Sequence, residues 1–328
     1  MTSSPELRAA STPTPGRAPD FFIVGHHKCG TTALYEMLRR HPQIYMPDVK
    51  EPWFLAGDPR VLLAPSSRLP KTLEEYLALF AAGTPEQRLG EATPSYLMSP
   101  TAAATIAELQ PDARIIAILR EPASFLRSLH LQRVQMHAET ETDLAKALAL
   151  EEQRRQGISL PRDAIRPEDL LYSEHVRYVE QLERYYAVFG REQVLVLVYE
   201  DFRSDNEATL REVLRFLDVD ENVPLELVEA NPTVRIRSQR AYELLRSLYL
   251  GRGPVPRAAK ATIKALTPTR LRRNANAAME RRVLYGDPRP PDEALMLQLR
   301  RRFKPEVVAI SEYLGRDLVG RWGYDRVD

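Results

Sequence analysis

One stretch constrains this chain more than any other. Residues Asp20 to Arg40 read DFFIV, then GHHKCGTT, then ALYEMLRR. A short run of β-forming apolar residues meets a glycine, a loop follows, and helical spacing then begins at Thr31. Leu34, Met37 and Leu38 share one helix face, and His41-Pro42 ends the helix. Such a joint presents free backbone N–H groups at a helix N-terminus, where an anion is favoured. Gly25 and Gly30 bracket four residues, as in the opening of G-x-x-x-x-G-K-[ST]. Thr31 stands where that motif has its lysine, and Lys28 sits inside the loop instead. Thr31 and Thr32 can donate hydroxyl hydrogen bonds to phosphate oxygens. The blander alternative is a glycine-bounded βα turn with a capping threonine.

The remaining pattern repeats strand then helix. RIIAIL (Arg114 to Leu119) reads as a second buried strand, with a helix from Ala123 to about His137 after Arg120-Glu121-Pro122. QVLVLVYE (Gln193 to Glu200) reads as a third. Helices are expected after Pro70, across YSEHVRYVEQLERYYAVFG as far as Gly190, and over DNEATLREVLRFLDV. PDEALMLQLRRRFKPEVVAISEYLG reads as a pair of helices. Strands alternating with helices of this length imply an α/β fold, a doubly wound parallel sheet flanked by helices. Its 328 residues suffice for one large domain, expected over 20–328. Residues 1–19, rich in Pro, Ser, Thr and Ala, read as a disordered tail. The stretch Gly251 to Arg282 carries nine Lys and Arg residues and a single acid, Glu280. It reads as a solvated helical face or as a mobile lid over an anionic ligand.

Charge and cysteine usage exclude several classes. Lys and Arg number 46 and Asp and Glu 45, so a general grip on nucleic acid or anionic membrane is not implied. Cys29 is the only cysteine, so neither a disulfide framework within the chain nor a Cys-based zinc site is available. No apolar run approaches the ~20 residues of a membrane span, and the N-terminus lacks a secretory apolar core. The expectation is a cytoplasmic protein. A nucleotide triphosphatase needs a Mg²⁺ carboxylate at the end of a neighbouring apolar strand. The matching strand here ends in Arg120, which suits a second anion rather than a metal. The ligand expected is a nucleotide with two separate phosphate groups and no obligatory metal.

At this point the chain resembles the sulfotransferases that use 3′-phosphoadenosine 5′-phosphosulfate (PAPS). KCGTTAL is similar to the family's 5′-phosphosulfate loop. RIIAILREPASFLRS is similar to its 3′-phosphate segment, with Arg120 and Ser128 at the two matching positions, eight residues apart. HPQIYMPDVKEPWFL, GEATPSYLMSP, YVEQLERYYAVFGREQVLVLVYEDF and YLGRDLVGRW extend the likeness to the bacterial and Golgi glycan enzymes, from Phe21 to Trp322. Two places depart from the pattern: Ala92 stands where many glycan enzymes carry lysine, and Glu121 where asparagine is common. The resemblance implies a P-loop-like fold and in-line transfer of a sulfuryl group to a hydroxyl or amine of a saccharide or other small molecule, with no metal.

It also implies roles. Lys28 would stabilise charge on the departing phosphate oxygen. Lys28, Cys29, Gly30, Thr31 and Thr32 would hold the 5′-phosphate, and Arg120 and Ser128 the 3′-phosphate. Arg235 and Arg237 are candidates for a further phosphate contact. Glu51, in KEPWF, is the choice for general base, with His26 and His27 as rivals, His130 and His137 weaker, and a surface ion pair with Lys50 as the plain alternative. His27, Trp53, Phe54 and Tyr96 are candidates for the acceptor cleft, Tyr96 alternatively for the adenine pocket. Cys29 needs no nucleophilic role. The competing readings are a P-loop small-molecule kinase and a nucleotide-binding module without catalysis.

Overall fold

A computed structural model describes residues 16–58, 69–136, 138–161, 166–224, 226, 235–236, 285–286 and 290–328. Two compact units divide the chain. The first takes Met1–Phe125, Ser173–Ala230 and Phe303–Arg326, and the second Leu126–Tyr172, Asn231–Arg302 and Val327–Asp328.

The first unit is built on a five-stranded parallel sheet: β1 Phe21–Gly25, β2 Ile44–Tyr45, β3 Arg88–Ala92, β4 Arg114–Leu119 and β5 Val194–Val198. The spatial order is β2-β3-β1-β4-β5. From β1 the chain passes to β2 at one edge, returns to β3 beside β1, and then crosses to β4 on the other side. The direction of winding therefore reverses between β1 and β4, and ligands of doubly wound sheets bind at the carboxyl ends of strands beside such a reversal. β1 and β4 are buried almost throughout, and Phe21 pairs with Arg114 in register.

The helices among the described residues are α1 Thr31–Leu38, α2 Leu73–Ala78, α3 Ala102–Leu109, α4 Pro122–Gln135, α5 Leu144–Ala149, α6 Glu151–Arg155, α7 Tyr178–Tyr186, α8 Tyr199–Ser204, α9 Asn206–Phe216, α10 Glu293–Leu314 and α11 Leu318–Arg321. α7 is shorter than its amphipathic pattern suggests: Tyr172–Val176 forms a 3₁₀ turn before it. Tyr178, Gln181, Leu182 and Tyr185 form its buried stripe at helical spacing, and α7 packs on α3. The expected pair of C-terminal helices is one 22-residue helix with Pro305 inside it. Proline removes one backbone donor. Phe303, Val307 and Ile310 are buried on a single face across it, and that packing outweighs the lost bond.

The second unit centres on buried charge. Arg154 donates to Glu139 at 2.8 Å, and Tyr172 donates to the same carboxylate at 3.0 Å. Arg133 pairs with Asp169 at 3.2 Å. Among the described residues no helix is long and apolar enough to cross a membrane.

Candidate active site

The cradle forms at the carboxyl end of β1. His26 N–H donates to Ile118 C=O at 2.9 Å, which ties the start of the loop to β4. Gly30 caps α1 with φ 83°, in the left-handed region. A Cβ there would lie 2.8 Å from the Phe202 ring. Glycine is thus required twice, for the backbone and for the space. Gly30→Ala is expected to destabilise the protein by at least ~1 kcal/mol, the lower end of the cost of a left-handed L-residue. A urea midpoint shifted at constant slope checks this, and an unshifted midpoint contradicts it. No side chain caps α1 and no acid occupies its first turn, so its N-terminal dipole faces the loop unopposed. Thr31 is buried at that end and Thr32 half-buried.

Lys28 is half-buried, with φ 61°. Burial first, and then the charge of Arg120, pull its pKa down from the ordinary lysine value. Arg120 follows β4 as Lys28 follows β1. Its guanidinium donates to Lys28 C=O at 2.7 Å and lies 4.4 Å from the centre of the Tyr199 ring. The Tyr178 hydroxyl donates to Arg120 C=O at 2.8 Å. The Nε of Arg120 is buried without a partner among the described residues. A guanidinium held by a carbonyl and a ring, with a donor to spare, is suited to an anion.

Glu121, the departure from the familiar asparagine, accepts from Ala123 N–H at 3.1 Å and Ser124 N–H at 2.7 Å and so caps α4. Tyr324 also donates to it at 2.7 Å. Ser128 is buried further along α4.

The segment Lys50 to Ala56 reaches the same edge of the sheet. Glu51 N–H donates to Ala92 C=O, the end of β3, at 3.1 Å. Lys50 forms a short ion pair with one oxygen of Glu51. Glu51 and Trp53 both have φ 60°, uncommon for residues with side chains. The rings of His27 and Trp53 lie 6.3 Å apart, which brings the cradle loop beside this segment. Phe54 stacks on Tyr76 at 4.9 Å.

Three expectations need revision. Tyr96 lines no open cleft: it is 0% exposed, and its hydroxyl accepts from Leu55 N–H at 3.0 Å and donates to Glu91 at 3.3 Å. It supports the wall from behind because the turn after β3 folds onto β1, with Leu97 N–H on Val24 C=O. His26 does not compete for the role of base. It is fully buried against Phe125 and Tyr178, lies 2.6 Å from the Gln181 side-chain oxygen, and burial pushes its pKa down to about 4. His130 is buried too, with Nε2 2.8 Å from Glu141 C=O. Cys29 is buried and its thiol is pushed up to about 12, chiefly by burial, so only its backbone is available to a ligand. His137, Arg237 and the basic stretch 251–282 lie outside the described residues, as does the tail to residue 15. Arg235 is described only by its backbone pairing with Gly286. Sequence reasoning passed over Glu91, Tyr76 and Tyr199, though an acid inside the strand Arg88–Ala92 is a signal in itself.

The family model for the sulfotransferase domain matches residues 18–243. The chain belongs to the sulfotransferase family. This sulfotransferase is 29% identical over 246 residues to carbohydrate sulfotransferase 15 of Homo sapiens, covering 61% of this chain and 44% of that one. It is 32% identical over 121 residues to heparan sulfate glucosamine 3-O-sulfotransferase 6 of Homo sapiens, covering 37% and 32%. It thus spans less than half the length of these curated relatives. A crystal structure of a sulfotransferase from Alicyclobacillus acidocaldarius superposes with a TM-score of 0.65 at 25% identity, covering 93% of this chain and 98% of that one.

Proposed function

We propose that this sulfotransferase moves a sulfuryl group from PAPS to a hydroxyl of a saccharide. The convergence of Lys28 and Arg120 carries the reading. They follow adjacent strands at the winding reversal, one contacts the other at 2.7 Å, and Arg120 keeps a buried donor in reserve. The donor nucleotide carries two separate phosphate groups and, when bound, supplies the activated sulfuryl group. The α1 N-terminus with Gly30, Thr31 and Thr32 fits one group. Arg120 and Ser128 fit the other by resemblance, Arg120 through its guanidinium and Ser128 through its hydroxyl.

The residues of this chain divide the remaining work. Lys28 is a compact charge with rotatable donors, and among the described residues no hydrogen bond or ion pair engages its ammonium. It is placed to meet negative charge that grows on the oxygen leaving sulfur. Its lowered pKa eases proton donation to that oxygen. Lys50 engages one oxygen of Glu51 and leaves the other to take the acceptor's proton. Trp53 and Phe54 offer half-exposed rings for a sugar face, beside His27. The similarity to a carbohydrate sulfotransferase and a heparan sulfate glucosamine sulfotransferase supports the acceptor class.

The test separates the two phosphate sites. Arg120→Ala is expected to weaken 3′,5′-ADP binding by ~1.5–3 kcal/mol, the range for a lost hydrogen bond to a charged group. It should weaken 5′-AMP far less, because that ligand lacks the 3′-phosphate. Calorimetric titration of both ligands checks this, and equal losses remove Arg120 from the 3′-phosphate site.

A further inference from the structure

Glu91 is 1% exposed on β3 and is not idle. Its carboxylate accepts from Tyr76 at 2.5 Å, from Thr93 at 2.5 Å and from Tyr96 at 3.3 Å. Both tyrosines pass this hold onward to the Glu51 segment. Tyr76 stacks on Phe54, and Tyr96 accepts the N–H of Leu55. A third route runs through the backbone, since Glu51 N–H is bound to Ala92, the residue after Glu91. The segment needs such a hold: Glu51 and Trp53 keep a left-handed backbone that persists only where the surroundings enforce it.

Resting on the sulfuryl-transfer reading, we propose that Glu91 is the positioning residue of the acceptor side. It fixes Glu51, Trp53 and Phe54 through Tyr76 and Tyr96 and touches neither nucleotide nor acceptor. An ionised carboxylate accepts from all three hydroxyls, whereas a protonated one carries an O–H that needs an acceptor of its own, so the three-donor arrangement must rearrange. Burial raises the Glu91 pKa to about 7, against the three hydroxyl bonds, and the charge of Glu51 adds to the rise. The titratable groups facing it are Tyr76 from α2, Tyr96 from the turn after β3, Tyr185 from α7 and Glu51. The three tyrosines are all raised above the ordinary phenol value, burial first, and remain neutral, and Tyr76 and Tyr96 are the two that donate to Glu91. The protonation state of Glu91 therefore governs the order of the acceptor wall near neutral pH.

The experiment compares wild type, Glu91→Gln and Tyr96→Phe in three readouts. These are 3′,5′-ADP affinity by calorimetry, hydrogen exchange at the Leu55 amide, and transfer from PAPS to a heparan oligosaccharide between pH 5 and 9. Glu91→Gln is expected to leave 3′,5′-ADP affinity within ~3-fold and to lower kcat/KM at least ~10-fold, in line with the cost of a misplaced reacting group. The wild-type kcat/KM should carry an acidic limb near pH 7 that the variant lacks. The two proteins share every other titrating group, so the difference between their profiles belongs to Glu91. Tyr96→Phe keeps the carboxylate and should speed exchange at Leu55, which preserves a test if Glu91→Gln does not fold. Parallel losses of 3′,5′-ADP affinity and kcat/KM, or identical pH profiles, overturn the proposal. Unchanged Leu55 exchange in Tyr96→Phe overturns it as well. Failure of the wild type to bind 3′,5′-ADP overturns the sulfuryl-transfer reading, whereas the exchange readout would still report the hold on Leu55.

Discussion

Lys28→Ala is expected to slow turnover by ~10²–10³-fold, the cost of removing a donor that meets charge developing in the transition state. The loss should fall on kcat. Lys28 lies in a loop whose backbone is held independently: Arg120 binds its carbonyl, not its side chain, and Gly30 sets the turn. Affinity for 3′,5′-ADP should fall less than turnover does, because only the ammonium's contact with the 5′-phosphate is lost, and the turnover loss should be the same for every acceptor, including an activated phenol. Rapid-quench turnover with PAPS and a series of acceptors checks this. A loss that vanishes with the phenol would show that Lys28 acts on the acceptor side.

Glu51→Gln is expected to cost ~10²–10⁴-fold with a saccharide hydroxyl, the range for general base catalysis. Glutamine keeps the shape and the backbone bond to Ala92 but cannot take a proton. It also breaks the ion pair with Lys50, a half-exposed contact of little worth to stability. The penalty should shrink with a phenol acidic enough to ionise unaided, and 3′,5′-ADP affinity should persist. The comparison of saccharide and phenol within one variant is therefore the decisive reading. Near-normal turnover with the saccharide places the base elsewhere. His27 is then the next residue to change, because His26 is buried and neutral.

The sequence was most legible where long apolar strands announce themselves. FFIV and RIIAIL lie within one unit, side by side, with Lys28 and Arg120 just beyond their carboxyl ends. That placement was readable because an apolar run has one use in an α/β protein, a buried parallel strand. β3 was not legible. Its sequence, RLGEA, holds a glycine and a glutamate, both poor strand formers. Only the neighbours explain them. A Cβ at Gly90 would lie 2.1 Å from the Phe21 ring and 2.4 Å from Met46 Sδ, so β3 can approach β1 and β2 only with glycine there. Glu91 survives burial because three hydroxyls from distant or following positions close on it. Tyr96 was misplaced for a related reason. An aromatic residue between prolines reads equally well as a cleft wall or a core anchor, and only the partner of its hydroxyl decides. Tyr199 beneath Arg120 is a contact between the ends of β4 and β5 that no spacing rule contains. Pro305 shows the converse, a local helix breaker overruled by burial on both sides.

The claim at the centre is that the cradle with Lys28 inside its loop takes a nucleotide with separate 3′- and 5′-phosphates, not a triphosphate chain on a metal. Thermal unfolding of the wild-type protein tests it without knowledge of the acceptor. A ligand at a hundred times its dissociation constant that binds only the folded state adds ~2.7 kcal/mol of stability. The account predicts a clear rise in Tm with 3′,5′-ADP, a smaller one with 5′-AMP at the same concentration, and none with ATP and Mg²⁺. A rise with ATP and Mg²⁺ and none with 3′,5′-ADP would contradict it.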